Sequence, residues 1–209
     1  IVIMKLICIY LRYFLIVLCI AIGVCDAKAQ GGMEFPYPQI PTMMTEPQQR
    51  ATYLLMHYWD NVDFKDMKLV ANDDFMEQGF VNYLSVLPIV DAQTAERSVE
   101  AMMKRAEMNV VAYKKLVNIA EKYLFEPNSP MVSDEMYIMF LNQVMKTSVL
   151  SKVEKARFEY QHKVVMKNRV GSVATDFLYI DKEGKSGTLH KFEAEETLLI
   201  FYDPDCDNC

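Results

Sequence analysis

From Thr45 to about Asn168, apolar residues recur every three or four positions in segments opened by capping side chains and closed by prolines; past Asn168 that period is gone. Thr45-Glu46-Pro47 offers a cap, an acidic first turn and an early proline ahead of the apolar face Leu54, Leu55, Tyr58 and Trp59. Asp73 or Asp74 opens a second helix that buries Phe75, Phe80, Val81, Leu84 and Leu87 and closes at Pro88. Asp91 begins a third, with Val99, Met102, Met103 and Ala106 inward, and Asn109 caps a fourth along which Tyr113, Val117, Ala120 and Leu124 recur. Glu126-Pro127-Asn128-Ser129-Pro130 is a stop. Ser133, Asp134 and Glu135 start a fifth helix carrying Tyr137, Phe140, Leu141 and Val144, and Ser151 with Glu154 forms the capping box of a sixth. Short connections between such helices favour antiparallel neighbours in an orthogonal or up-down bundle. The segments share no fixed repeat length, which excludes a solenoid.

Beyond Asn168 the pattern suits extended chain. Asp176 to Ile180 reads as a strand, Asp181 to Lys185 as a turn, and Thr188 to Phe192 as a return strand or extended segment. Thr197 to Tyr202 is a continuous apolar run of the kind found where a strand is covered on both faces. The fold class expected is therefore α plus α/β: an all-helical domain over residues 45–168, then the first β elements of a second domain over residues 169–209.

The N-terminus has another character. Lys5 and Arg12 precede an apolar stretch from Tyr13 to Val24, followed by an A-x-A site at Ala27-Lys28-Ala29, so residues 1–29 read as a secretory signal peptide. The stretch is shorter than the roughly 20 apolar residues of a spanning helix. Export, to the periplasm, is the expected localisation. The alternative is a membrane-anchored lipoprotein through Cys25, which follows the lipobox-like Ile22-Gly23-Val24; the bulk of Val24 stands against it. Residues 30–44, with Gly31, Gly32, Pro36, Pro38 and Pro41, read as an extended leader. Ile1 is not an initiator and Met4 is a more natural start, so a raw reading frame or a piece of a longer protein is expected.

Loss of residues 1–29 removes three basic and one acidic side chain, leaving 19 Lys and Arg against 27 Asp and Glu, a formal charge of −8. That balance opposes nucleic-acid binding, which relies on clustered Lys and Arg against phosphates. It also removes Cys8, Cys19 and Cys25, so the only thiols left are Cys206 and Cys209, two residues apart in Cys206-Asp207-Asn208-Cys209. In an oxidising compartment such a pair is not a disulfide scaffold but a working pair. Zinc would need two further ligands, and His57, His162 and His190 have no paired spacing. Asp203 to Asn208 lacks the glycine and closing glutamate of a calcium loop. Most of the 15 methionines, including Met102, Met103, Met136, Met139 and Met145, fall at interior helix positions and suit packing rather than metal capture. No cofactor or metal is expected.

Gly171-x-x-Ala174-x-Asp176-Phe177, then Asp181 through Gly184-Lys185, then Leu198-Leu199-Ile200-Phe201-Tyr202 and the CxxC pair resemble the opening of the secreted TlpA/ResA-like branch of the thioredoxin family. The preceding Lys122-Tyr123-Leu124-Phe125-Glu126-Pro127-Asn128-Ser129-Pro130-Met131 and Tyr137-Ile138-x-Phe140-Leu141 resemble the helical domain DUF5106 that stands in front of such domains. The resemblance implies that Cys206 is the attacking thiol and Cys209 the resolving one, acting on client protein disulfides or thiols with an upstream electron donor. The helix that would begin at the first thiol, the later strands and the cis-proline loop of that family are not within these 209 residues, so this segment by itself is expected to be inactive. An aromatic usually precedes the first cysteine of such a motif, whereas Asp205 does here. Asp203, Asp205 and Asp207 surround Cys206 with negative charge, which disfavours its thiolate and points to a reductase rather than a disulfide donor. The alternative from a different class is a non-catalytic helical interaction module carrying a vestigial thioredoxin-like scaffold.

Overall fold

Six of the helices begin where a side chain can take an otherwise unpartnered first-turn amide. The computed structural model describes residues 33–201, and among them the chain forms α1 (Pro47–His57), α2 (Met67–Ala71), α3 (Asp73–Val86), α4 (Ala92–Ala106), α5 (Val110–Leu124), α6 (Asp134–Lys146) and α7 (Lys152–Val165). Asp66, Asn72, Asp91, Asn109, Ser133 and Ser151 cap α2 to α7 in turn, each accepting from a backbone N–H two or three residues on. The box at α7 is reciprocal: Glu154 N donates to Ser151 Oγ at 3.3 Å while Ser151 N donates to Glu154 Oε2 at 2.8 Å.

At four places the helices depart from the sequence pattern. Thr45 does not cap α1; Glu46 stands at that position with no side-chain bond, and Pro47 occupies the first turn, where a missing N–H costs nothing. Helix α2 is additional to the expected set, made possible by Asp66 Oδ1 accepting from Lys68 N at 2.8 Å. Asn72, not Asp73 or Asp74, opens α3, with Oδ1 accepting from Phe75 N at 3.0 Å. On α3 it is Tyr83 that is fully buried, while Val81 is half-buried.

The helices pack as a bundle in which α4 meets α1, α5 and α6, and α6 also meets α5 and α7. Its centre is aromatic. Trp59 of the turn after α1 lies 5.8 Å, centroid to centroid, from Phe64 and 5.9 Å from Tyr83, and Phe80 carries the contact on to Phe140 of α6 at 5.4 Å. Three buried hydroxyls of this core are partnered: Tyr58 donates to the Gly79 carbonyl at 3.0 Å, and Tyr83 and Ser98 share a 2.8 Å bond while Ser98 donates to the Leu55 carbonyl at 2.8 Å; the Tyr113 hydroxyl is buried without a partner among the described residues. Between α5, α6 and α7 a polar chain runs from Tyr137 through Gln161 to Glu121, with bonds of 2.7 and 2.5 Å, and Glu121 meets Arg157 at 3.1 Å.

Residues 33–44 have no helix or strand, as their prolines dictate, yet they are part of the bundle. Phe35 is 9% exposed, with its ring 4.9 Å from Tyr58, 5.2 Å from Trp59 and stacked 5.4 Å from Phe75. The ring lies against bare backbone at Gly79, where a Cβ would come 2.5 Å from its Cδ2. Tyr37 follows, its hydroxyl accepting from Asn82 Nδ2 at 2.8 Å. The segment acts as a strap across α1 and α3, and a glycine inside α3 is what lets it seat.

After α7 the chain turns and forms an antiparallel hairpin, β1 (Leu178–Ile180) with β2 (Ser186–Thr188), in the register Leu178 to Thr188, Tyr179 to Gly187 and Ile180 to Ser186. The return strand or extended segment expected over Thr188–Phe192 lies earlier, as β2, and ends at Thr188: Leu189–Lys191 is a short 3₁₀ turn, because Leu189 N donates to the Phe177 carbonyl at 3.1 Å and His190 N to Asp176 Oδ1 at 3.0 Å, folding the chain back. Residues 197–201 are likewise not a strand and not covered. Leu198, Ile200 and Phe201 are 84%, 73% and 81% exposed, since none of the described residues pairs with this run.

Two outcomes are expected. Replacing Gly79 with Ala should destabilise the protein in urea unfolding, although alanine gains about 1 kcal/mol of helix propensity, because the new methyl strikes Phe35. In a Phe35→Ala background, itself about 3 kcal/mol less stable, the same Gly79→Ala change should be stabilising. Glu154 is held down to about 2 by the Lys114 ammonium and then by Ser151. Its contribution is therefore complete above the ordinary glutamate range and is lost as pH falls from there towards 2. Carboxyl NMR titration should place the Glu154 midpoint near 2, and Glu154→Gln should flatten that part of the acid limb of the stability profile.

Candidate functional site

Cys206 and Cys209 lie outside the described residues, as do Asp203, Asp205 and Asp207. What the structure gives is the approach to them. Leu199 and Phe201, at the end of the described chain, line an apolar cavity of about 450 Å³ together with Phe177, Tyr179, Leu189 and Phe192. Phe177 and Phe201 lie 6.0 Å apart at 60°, so the apolar run meets the residue just ahead of β1.

The hairpin that forms the other wall is set by short-range bonds. Asp181 Oδ1 accepts from both Glu183 N and Lys185 N at 2.9 Å, and the Asp181 carbonyl accepts from Gly184 N at 3.0 Å. On β2, the hydroxyl end of the Tyr179 ring rests against Gly187, where a Cβ would come within 2.6 Å of its Cζ, and Tyr179 also lines the cavity. Asp176 is held below the ordinary carboxylate range first by the N–H of His190 and also by the His190 ring nearby. That imidazole donates from Nε2 to the Ala174 carbonyl at 2.7 Å. His190 is thus a satisfied structural residue. His57 bonds to Asp60 at 2.7 Å and His162 to Asn142 at 3.1 Å, and the three histidines sit on different elements rather than around one point. Met102 and Met103 are buried in the core and Met136, Met139 and Met145 pack partly against it.

A second cleft, about 700 Å³, lies beside the strap and is lined by Phe35, Tyr37, Phe75, Glu77, Asn82 and Tyr123 among others. Glu77 accepts from Lys122 Nζ and, at 2.5 Å, from the Tyr123 hydroxyl, which together hold it below the usual glutamate range. Lys115 meets Asp73 at 2.6 Å one turn away. Acids on α3 thus face bases on α5. The sequence reading did not find this network; its trace is the pair of acids Asp73 and Glu77 four apart and the bases Lys115 and Lys122 seven apart, which only helix packing brings into register.

The chemistry available along the described part of the C-terminal segment is burial and positioning.

Comparison with known proteins places these features. The family described as "Domain of unknown function (DUF5106)" matches residues 21–168. No curated protein matches. Among solved structures, a thioredoxin-like protein from Bacteroides caccae ATCC 43185, determined by crystallography, superimposes with a TM-score of 0.79 at 34% sequence identity, over 85% of this chain and 64% of that one. This chain therefore spans less than two thirds of that structure. The described architecture, helices followed by a late two-stranded sheet, is that of a helical domain joined to part of a thioredoxin-like fold.

Proposed function

We propose that this chain, which belongs to the DUF5106 family and carries part of a thioredoxin-like fold, comes from an exported thiol–disulfide oxidoreductase whose helical domain is an accessory to the redox domain. The observation that carries the reading is the likeness to a thioredoxin-like protein in a chain where, past the export signal, Cys206 and Cys209 are the sole cysteines and follow directly on the apolar run 197–202. In the reaction, the Cys206 thiolate attacks a client disulfide, forming a mixed disulfide and releasing one client thiolate. Cys209 then attacks the Cys206 sulfur, releasing the second client thiol. The client gains two electrons and the protein is left with a Cys206–Cys209 disulfide, which an upstream dithiol donor reduces again by the same exchange.

The CxxC spacing suits this chemistry because a helix starting at the first thiol directs unpaired N–H groups at its sulfur, while the second thiol stays within one turn. The neighbouring carboxylates Asp203, Asp205 and Asp207 act against that stabilisation and make the reduced pair a better electron donor. Export to the periplasm is supported by the basic start, the apolar stretch Tyr13–Val24 and Ala27-Lys28-Ala29.

Cys209→Ser in the full-length protein should accumulate mixed disulfides through Cys206, visible as thiol-sensitive bands on non-reducing gels. A Cys209→Ser protein that traps nothing would favour the helical interaction module instead. The reduction potential of the pair in the full-length protein should fall on the reducing side, near the roughly −270 mV of reducing thioredoxins, and a value near −120 mV would overturn the reductase assignment.

A further inference from the structure

Between the last helix of the bundle and the hairpin lies a joint with more fixed bonds than a linker needs. Helix α7 ends at Val165, and three residues on Asn168 turns the chain through the left-handed conformation, with φ of 56°. Its Oδ1 then accepts from Thr175 N at 2.7 Å, seven residues on. Inside that loop the Arg169 carbonyl accepts from Ser172 N at 2.9 Å and from Ser172 Oγ at 2.6 Å, closing a turn whose third residue, Gly171, has φ of 80°. A turn of this form requires positive φ there, which glycine provides without strain. The far end of the joint is tied as well, since the Ala174 carbonyl and the Asp176 carboxylate both accept from His190 beyond β2.

One side chain of the joint reaches back to the bundle. Arg169 meets Glu135 in the first turn of α6 through two parallel bonds, Nε to Oε1 at 2.8 Å and Nη2 to Oε2 at 2.5 Å. Single exposed ion pairs contribute little, but a bidentate guanidinium–carboxylate pair fixes direction as well as distance. A carboxylate in a helix's first turn is also favoured by the helix dipole. The loop backbone is thus held internally by Asn168 and Ser172, held to the hairpin by His190, and held to α6 by Arg169.

We infer that Glu135 and Arg169 are a positioning pair that sets the orientation of the thioredoxin-like domain against the helical domain, so that the helical domain governs which protein disulfides reach Cys206. This rests on the oxidoreductase reading for its second half only; the orientation stands or falls on geometry. A client large enough to touch both domains needs them in one arrangement, whereas a small disulfide needs the CxxC pair alone.

The test uses the full-length protein with spin labels introduced through non-natural side chains at Glu100 and Lys182. In the native protein the inter-label distance distribution should be narrow. Arg169→Met or Glu135→Gln should broaden it, and the exchanged pair Glu135→Arg with Arg169→Glu should narrow it again, with helix content by circular dichroism unchanged throughout. In the same variants, reduction of insulin should fall about tenfold while reduction of 5,5′-dithiobis(2-nitrobenzoate) stays within about twofold of native, since misplacement of a reacting group by about 1 Å can cost two orders of magnitude. Unchanged distances in the single variants would overturn the inference. Broadened distances with insulin and the small disulfide affected equally, or with neither affected, would overturn the positioning role. A native protein that reduces neither substrate would sink the redox reading while leaving the distance measurement to judge the joint.

Discussion

The Phe35 ring seated on bare backbone at Gly79 is the contact on which the helical domain is organised. It joins a segment with no secondary structure of its own to the end of α1 and the turn after it through Tyr58 and Trp59 and to α3 through Phe75, and from Trp59 and Phe80 the aromatic contacts continue to α6. A glycine in a helix interior costs about 1 kcal/mol relative to alanine. Here that cost is offset by burial of a whole aromatic side chain, an effect of roughly 2–3 kcal/mol. The strap is part of the domain's interior in consequence, although its composition is that of a leader.

The helical domain was legible in the sequence wherever local chemistry decides. Asp91, Asn109, Ser133 and the Ser151–Glu154 box cap the helices they were expected to cap, because a cap depends on two or three neighbouring residues and little else. The inward faces Val99, Met102, Met103, Ala106 and Tyr137, Phe140, Leu141, Val144 are buried as their spacing requires. At the starts of α1 and α3 the discrepancy is between neighbouring residues that compete for one role. Asn72 is preferred to Asp73 and Asp74 at the start of α3 since capping α3 leaves both acids in its first turn, where the dipole favours them.

The C-terminal segment was legible in composition and less so in form. Asp181 to Lys185 is a turn because one aspartate can accept from two following amides, a local matter. The return strand gives way to a 3₁₀ turn because Asp176 and Phe177, more than ten residues earlier, supply acceptors to His190 and Leu189. The apolar run at 197–201 reads as a buried strand, but strand formation requires neighbours, and none of the described residues pairs with it. Of the candidate site, the two cysteines and the acids around them were legible as motif alone. The apolar wall formed by Phe177, Tyr179, Leu189 and Phe201 emerged only from the fold.

By itself the amino-acid order determined the number of long helices, their caps, the change of architecture after Asn168 and the placement of a thiol pair behind an apolar run, all of which follow from interactions within a few residues along the chain. Tertiary structure alone decided that Phe35 belongs to the core, that Glu77 meets Lys122 and Tyr123, and that Arg169 grips Glu135. Each of these pairs groups at least 34 residues apart. At such separations no local propensity operates; which side chains meet is set by how the helices pack.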